Sequence, residues 1–276
     1  MYDKELTETS KGALIELMLA LGTYTNDMVL VGGWPPYFLT CKHFDHCGSI
    51  DLDFVLKPEI MPKYESIKQI ITKLDYIETL NIFRFEKEIT SNKAKRKFQI
   101  HLDFLTEPEA KQYLTAAPLL EVQKDLKACL ISGSSIVFEF HYHEPITAVI
   151  PENGEAHYDV PIADVVGSLT MKGQALLGRF KDKDYYDVYA VTGFHNGDPK
   201  KAAETFSGTL KQRGTKIQHP LISSSLSIIK RSFEKATSVG PFMVSQFIGD
   251  RSLETDSYER VSAFIELLET EYHVRL

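Results

Sequence analysis

Apolar residues recur along the chain with two different periods, and the period changes about two thirds of the way through. Leu14, Leu17, Met18 and Leu21 fall on one helical stripe and predict a helix over 11–22. Met28–Val31 is a short unbroken apolar run, predicting a buried strand that ends at Gly32-Gly33. Pro35 or Pro36 then suits the first turn of a helix, where the missing N–H is an orphan in any case. Alternation over Ile50–Leu56 predicts a second strand. The stripe of Ile60, Tyr64, Ile67, Ile71 and Leu74 predicts a helix over 59–74. Strands are expected near 82–88 and 97–105, joined by the polar, basic "ITSNKAKRK".

Beyond Lys111 a helical stretch is expected, then the strand-like runs "SIVFEFHYH" and "PITAVI", with "ENGEAH" as a tight turn between extended segments. From Ala163 onward the period is helical throughout, as in "IADVVGSLTMKGQALLGRF", "LISSSLSIIKRSFEKA" and "YERVSAFIELLETEY". The pattern predicts an α+β domain over 1–162 and a helical C-terminal domain over 163–276.

The second strand carries the first candidate chemistry. Side chains alternate along a strand, so Asp51 and Asp53 leave one face while Ile50, Leu52 and Phe54 pack on the other. Two carboxylates about 7 Å apart along a backbone suit a hard divalent cation such as Mg²⁺. Taken alone, such a pair is a weak signal, since most such pairs are solvated strand faces. "FQIHLDFL" alternates in the same sense, so Asp103 faces the way Asp51 and Asp53 do, and an adjacent strand would complete a cluster of three carboxylates. Such a cluster is expected at the edge of a sheet, open to solvent, and repels itself without a cation. His101 shares the face of Asp103, as a substrate contact or as a hydrogen-bonded structural histidine. Gly32 and Gly33 sit at a strand-to-helix turn, whose backbone N–H groups can hold phosphates.

A soft donor set lies directly upstream, with Cys41, His43, His46 and Cys47 in "CKHFDHC". Zinc sites pair short C-x₂₋₄-C and H-x₃₋₅-H spacings with a separate second pair, whereas four donors crowded into one short stretch splay apart. The stretch therefore reads as Cys41 acting as a small buried hydrophobe with the histidines on a surface loop.

Composition alters this picture little. The chain has 276 residues with a formal net charge of −7, so it does not announce a nucleic-acid binder. Basic clusters at Lys93, Lys95, Arg96 and Lys97, at Lys200 with Lys201, and at Lys211 with Arg213 leave room for a local phosphate-binding track. Three cysteines in a chain of this length argue against a disulfide framework and for a reducing, cytoplasmic setting. No stretch reaches the apolar length of a membrane span, and the acidic start has no signal-peptide pattern.

Gly-Gly after a strand, then a helix, then D-x-D on the next strand and a third Asp on a later one resembles the DNA polymerase β-like nucleotidyltransferases. "MKGQALLGRFKDKDYYDVYAVTG" at 171–193 resembles the Lys–Arg–Lys-Asp–Asp helix pair of the AbiEii/AbiGii toxin-like branch. Many relatives carry Gly-Ser where this chain has Gly33-Trp34, so a hydroxyl contact to a triphosphate is missing here. The resemblance implies that Asp51 and Asp53 hold Mg²⁺ on the phosphates of an NTP, with Gly32, Gly33 and Trp34 at the nucleotide. It implies that Asp103 binds a second metal and orients or deprotonates the attacking hydroxyl, as in a two-metal displacement. Lys172 and Arg179 would neutralise the triphosphate or the leaving pyrophosphate, and Asp184 and Asp187 would orient that lysine or the acceptor. The plainer reading of these residues is a solvated helix face and helix N-terminal capping.

The expectation is then a pyrophosphate-releasing transfer of NMP from an NTP, by the toxin-like component of a toxin–antitoxin or phage-defence module with a cognate antitoxin protein. RNA, in particular the 3′ end of tRNA, leads as acceptor. A protein hydroxyl or a small molecule of the aminoglycoside kind is the alternative, and a non-catalytic binding module of the same fold is the rival from another class.

Overall fold

The computed structural model of the chain describes residues 4–91, 95–107, 119–151, 154–214 and 219–274. They form two compact units. One contains Cys47–Ala163 and the segment before Pro35, and the other contains Pro35–His46 and the chain from Asp164 onward.

The first unit is built on a sheet. Helix α1 (Lys4–Leu21) begins before the predicted stripe and buries Leu14, Leu17, Met18 and Leu21. A 3₁₀ turn leads into β1 (Met28–Val31), which is buried at all four positions, as an unbroken apolar run requires. Helix α2 (Trp34–Thr40) follows Gly32-Gly33, and β2 spans Leu52–Leu56. Helix α3 covers only Ile67–Lys73, not 59–74. Ser66 and Gln69 form a reciprocal capping box that sets its start, and Pro62 lies in the non-helical lead-in. Tyr64, assigned from sequence to the buried stripe, is fully exposed, while Ile60, Ile67 and Ile71 are buried.

Strands β3 (Ile77–Glu78), β4 (Arg84–Thr90) and β5 (Lys97–Thr106) follow. The helical stretch expected beyond Lys111 falls partly on 108–118, outside the described residues. Where description resumes, the chain is a hairpin of β6 (Leu119–Gln123) and β7 (Leu126–Leu130). "SIVFEFHYH" also divides. Residues Ile136–Glu139 make a single helical turn, α4, and β8 (His141–Ile150) pairs antiparallel with β9 (Gly154–Ala163). The carboxylate of Glu107 accepts from the N–H groups of Gly133 and Ser135 and so holds the turn before α4.

The sheet order is β3-β4-β5-β2-β1-β9-β8, with β7 alongside β5 and β6 alongside β7. The β2–β5 and β1–β9 pairs are parallel, and β1–β2 and β4–β5 are antiparallel, so the sheet is mixed. Leu52, Phe54, Ile100, Leu102 and Phe104 are fully buried on one face, and Phe85 meets Phe104 edge-on at 5.9 Å. The opposite face of the same central strands carries the aspartates.

The second unit is helical: α5 (Val165–Gly178), α6 (Asp182–Phe194), α7 (Pro199–Gln212), α8 (Pro220–Ser232), α9 (Val239–Ile248) and α10 (Leu253–Thr270). Helix α6 is buried at every position from Lys183 to Gly193, which explains why its sequence lacks a clean apolar stripe. The division differs from a single boundary after residue 162 in one segment, because Pro35–His46 belongs with these helices. Phe44 stacks on Phe194 with ring centroids 4.3 Å apart, and His195 Nδ1 lies 2.9 Å from the carbonyl of Leu39. Contacts this distant in sequence leave no local pattern.

Helix α1 approaches β8 so closely that a Cβ on Gly12 would overlap the carbonyl of Val149. Gly12→Ala should therefore destabilise the protein by about 1–3 kcal/mol, the usual cost of overpacking, in urea unfolding followed by circular dichroism.

Candidate functional site

The parallel register of β2 and β5 sets Leu52 beside Leu102, Asp53 beside Asp103 and Phe54 beside Phe104. Residues directly opposite on neighbouring strands share a face, so Asp53 and Asp103 lie side by side. The same logic extends across four strands. Arg84 on β4 is opposite Asp103, and Val31 on β1 is opposite Asp53. In the next row, Glu86 on β4 is opposite His101. His101 Nδ1 lies 3.1 Å from Asp51 Oδ1, which makes this histidine a partner of the first aspartate.

Two expectations about this cluster are corrected. The aspartates lie on central strands rather than at a sheet edge, because β2 and β5 each have neighbours on both sides. Asp103 is also not open to solvent, its residue surface being only 7% exposed. Arg84 closes on it as a fork, with Nε donating to Oδ1 at 2.7 Å and Nη2 to Oδ2 at 2.5 Å. The hydrogen bonds to Asp103 raise the guanidinium further above its ordinary value, with Asp51 and Asp53 adding to the effect against partial burial.

Gly32 matters for a reason visible only in three dimensions. Its φ is +74°, in the left-handed region, and a Cβ there would overlap the carboxylate of Asp53. The turn and the aspartate thus need one another's shape. Trp34, placed at the nucleotide by resemblance, has its side chain fully buried, so only the backbone of the turn is left to meet a ligand.

Asp53 on β2 and Asp51, which lies just before the strand begins at Leu52 rather than within it as expected, are both part-exposed oxygen donors and suit a hard divalent cation. Asp103 suits it less directly, because both of its oxygens are engaged by Arg84. Among the described residues no group of three or more His, Cys, Asp or Glu side chains is drawn together as a metal cage.

The remaining candidates gather in the helical unit. Lys172 Nζ lies 2.7 Å from Asp184 Oδ1 and 2.6 Å from Asp187 Oδ2. Arg179, the C-cap of α5, donates through Nε to Asp184 Oδ2 at 2.7 Å while more than half exposed. Lys183 Nζ, one turn before Asp187, reaches its Oδ1 at 2.9 Å. The two buried lysines are thereby matched by two buried carboxylates, as ions removed from water demand. Burial alone would raise both aspartates, but Lys172 with Arg179 holds Asp184 below the ordinary carboxylate range. Lys172 with Lys183 depresses Asp187 strongly. Burial opposes the charge of Lys172, and the two aspartates outweigh it and push the ammonium up.

The sequence reading missed the sixth member of this network. His46 is not on a surface loop. Its side chain is fully buried, and Nε2 lies 3.1 Å from Asp187 Oδ1. Burial lowers its pKa despite the opposing pull of Asp187, so the neutral ring donates its Nε2 proton to the carboxylate. The cysteine assignment is also reversed, since Cys41 is exposed and Cys47 is buried. Neither Arg84 nor His46 was detectable from spacing. Arg84 does fall in the predicted strand 82–88, and a known register would have found it.

A folded-state pKa below the ordinary 6.5 means that the unfolded chain takes up more protons at His46. The stability it contributes is complete above pH 6.5 and is lost as pH falls toward the lower folded value. His46→Gln keeps a donor without a titration. Its unfolding free energy should therefore change less steeply than that of the parent as pH is lowered from about 6.5 to 5. Equal slopes in a urea-unfolding series would contradict the assignment.

No curated protein matches the chain. Residues 16–238 match the family described as nucleotidyl transferase AbiEii toxin, type IV TA system, a span holding both clusters of charged residues. With the mixed sheet, the paired aspartates and the helical C-terminal region already in hand, this match over most of its length means that the chain belongs to the AbiEii nucleotidyltransferase toxin family.

Proposed function

We propose that the protein is a Mg²⁺-dependent nucleotidyltransferase that moves NMP from an NTP to an acceptor hydroxyl and releases pyrophosphate. Family membership carries nucleotidyl transfer within a toxin–antitoxin system, and with it a nucleotide substrate and an antitoxin partner. The observation that carries the finer reading is the adjacency of Asp53 and Asp103 on parallel strands, with Asp51 two residues before Asp53 and Gly32 against the Asp53 carboxylate. In this reading catalysis belongs to the 1–162 portion of the chain, and the helical 163–276 portion supplies Lys172, Arg179, Asp184 and Asp187. Asp51 and Asp53 hold the cation, which when bound polarises the phosphates and stabilises the charge of the leaving pyrophosphate. Asp103 orients the attacking hydroxyl, the Gly32-Gly33 turn offers backbone N–H groups to phosphate oxygens, and Arg179 is the network cation most open to solvent.

RNA, with the tRNA 3′ end foremost, is the proposed acceptor. The basic residues Lys95 and Arg96 precede, and Lys97 begins, the strand that bears His101 and Asp103, although Lys93 lies outside the described residues. Lys97 is exposed and shares its charge with Glu88 at 2.7 Å, so the hairpin is less positive than its sequence suggests. Lys200 and Lys201 lie in the first turn of α7, with Lys211 and Arg213 at its end. Among the described residues no helix is long and apolar enough to cross a membrane.

Incubation with each α-labelled NTP, total RNA and total protein tests the reading. Label should enter RNA in the presence of Mg²⁺, and Asp51→Asn or Asp53→Asn should abolish incorporation with an unchanged melting temperature. Label in protein or in a small molecule instead would replace RNA as the acceptor, and no label anywhere would remove the enzymatic reading.

The basic track has its own test. Replacing Lys93, Lys95, Arg96 and Lys97 together by Ala should weaken tRNA labelling and leave NTP binding intact. The magnitude of the log–log salt slope should fall by about 0.7 to 0.9 for every one of these cations that neutralises a phosphate in the parent. An unchanged slope would remove the hairpin from the RNA-binding surface.

A further inference from the structure

Arg84 is the charged residue at the aspartate cluster to which neither the sequence motifs nor the family description gives a role. Its place is set by the antiparallel β4–β5 register, which puts it directly opposite Asp103 and one strand farther from Asp53. Both Asp103 oxygens are taken, one by Nε and one by Nη2, in the two-point geometry that makes guanidinium–carboxylate pairs strong. The Asp103 side chain is 10% exposed and that of Arg84 is 33% exposed, so the arginine is the partner with access to solvent.

We propose that Arg84 is a built-in counter-ion of Asp103 that competes with a divalent cation for its carboxylate and must release it before a second cation can bind there. The inference builds on the metal-dependent reading above. Asp53 and Asp103 on one sheet face, with Asp51 just before β2, repel one another, and a nearby cation relieves that repulsion. Arg84 is such a cation for Asp103. A divalent ion held by Asp51 and Asp53 lowers the negative charge that retains the guanidinium, so filling the first position loosens the second. Once released, the same planar fork matches two oxygens of a phosphate as well as it matched the carboxylate. Arg84 thus acts as a positioning residue that makes cation loading sequential.

The test uses the full chain and Mn²⁺ as the probe, with binding followed by calorimetry and electron paramagnetic resonance. The parent should bind one Mn²⁺ well and a second much more weakly. Arg84→Met removes the competing charge and should tighten the second site by about tenfold or more, the size expected for removal of a charge-assisted hydrogen-bonded partner. Arg84→Met combined with Asp103→Asn should lose that gain. Arg84→Lys keeps the charge without the fork and should give a smaller gain. It also serves as the deciding variant if the Met protein fails to fold. A folded variant whose second site is no tighter than the parent's, while the first is intact, would overturn the role of Arg84 and leave the metal-dependent reading standing. Absence of any Mn²⁺ binding by parent and variants would overturn both.

Discussion

Asp53 and Asp103 stand next to each other on parallel strands in the middle of a sheet, and their mutual repulsion is the constraint from which the local structure follows. A strand pair with phenylalanines and leucines in register on one face necessarily brings the aspartates into register on the other. Slipping one strand by one residue would relieve the charge, but it would turn either Leu52 and Phe54 or Leu102 and Phe104 away from the core. Burying those side chains is worth about 1.5–3 kcal/mol each, more than an incompletely screened carboxylate pair costs once a guanidinium is at hand. The apolar face therefore dictates the register, and the polar face meets its consequence with Arg84 on Asp103 and His101 on Asp51. Gly32 completes the arrangement by leaving room for the Asp53 carboxylate where any side chain would stand.

The helical unit solves a similar problem by a different route. Helix α6 runs through its interior with charged residues that have nowhere to reach water, so every charge needs an opposite one within bonding distance. Lys172 and Lys183 against Asp184 and Asp187 achieve that balance, with His46 contributing a neutral donor and Arg179 extending toward solvent. Desolvation makes such a set costly to break at any one member, which favours a single well-defined arrangement of α5, α6 and the segment that ends at His46. Phosphate recognition by Lys172 would have to draw on a cation already shared between two carboxylates. Arg179 is committed to Asp184 alone among the described residues and keeps most of its side chain in water.

The span matched to the nucleotidyltransferase toxin family holds both the aspartate pair on the sheet and the charged network of α5 and α6. The two clusters lie in separate compact units, which accords with a sequence motif in two separate blocks. The soft donors of "CKHFDHC" take a structural part instead. His46 is absorbed into the helical network, and Cys47 is buried as a small apolar residue.

Periodicity by itself determined the strands that carry Asp53 and Asp103, the common facing of those two side chains, and the change to helices beyond Ala163, while Asp51 falls just before its strand. These are consequences of one residue following another, and a local pattern records them. It misjudged the start of α3, where a capping box outweighed an apolar stripe, and it missed the hairpin of β6 and β7. Only the tertiary structure decided which strands are neighbours, and therefore that Arg84 meets Asp103 and His101 meets Asp51. It alone decided that Pro35–His46 joins the helices, and that His46 ends up buried against Asp187, 141 residues away in sequence. A charge in a sequence carries no mark of its partner, because pairing is settled by which surfaces fold together and by the penalty for leaving an ion dry and alone.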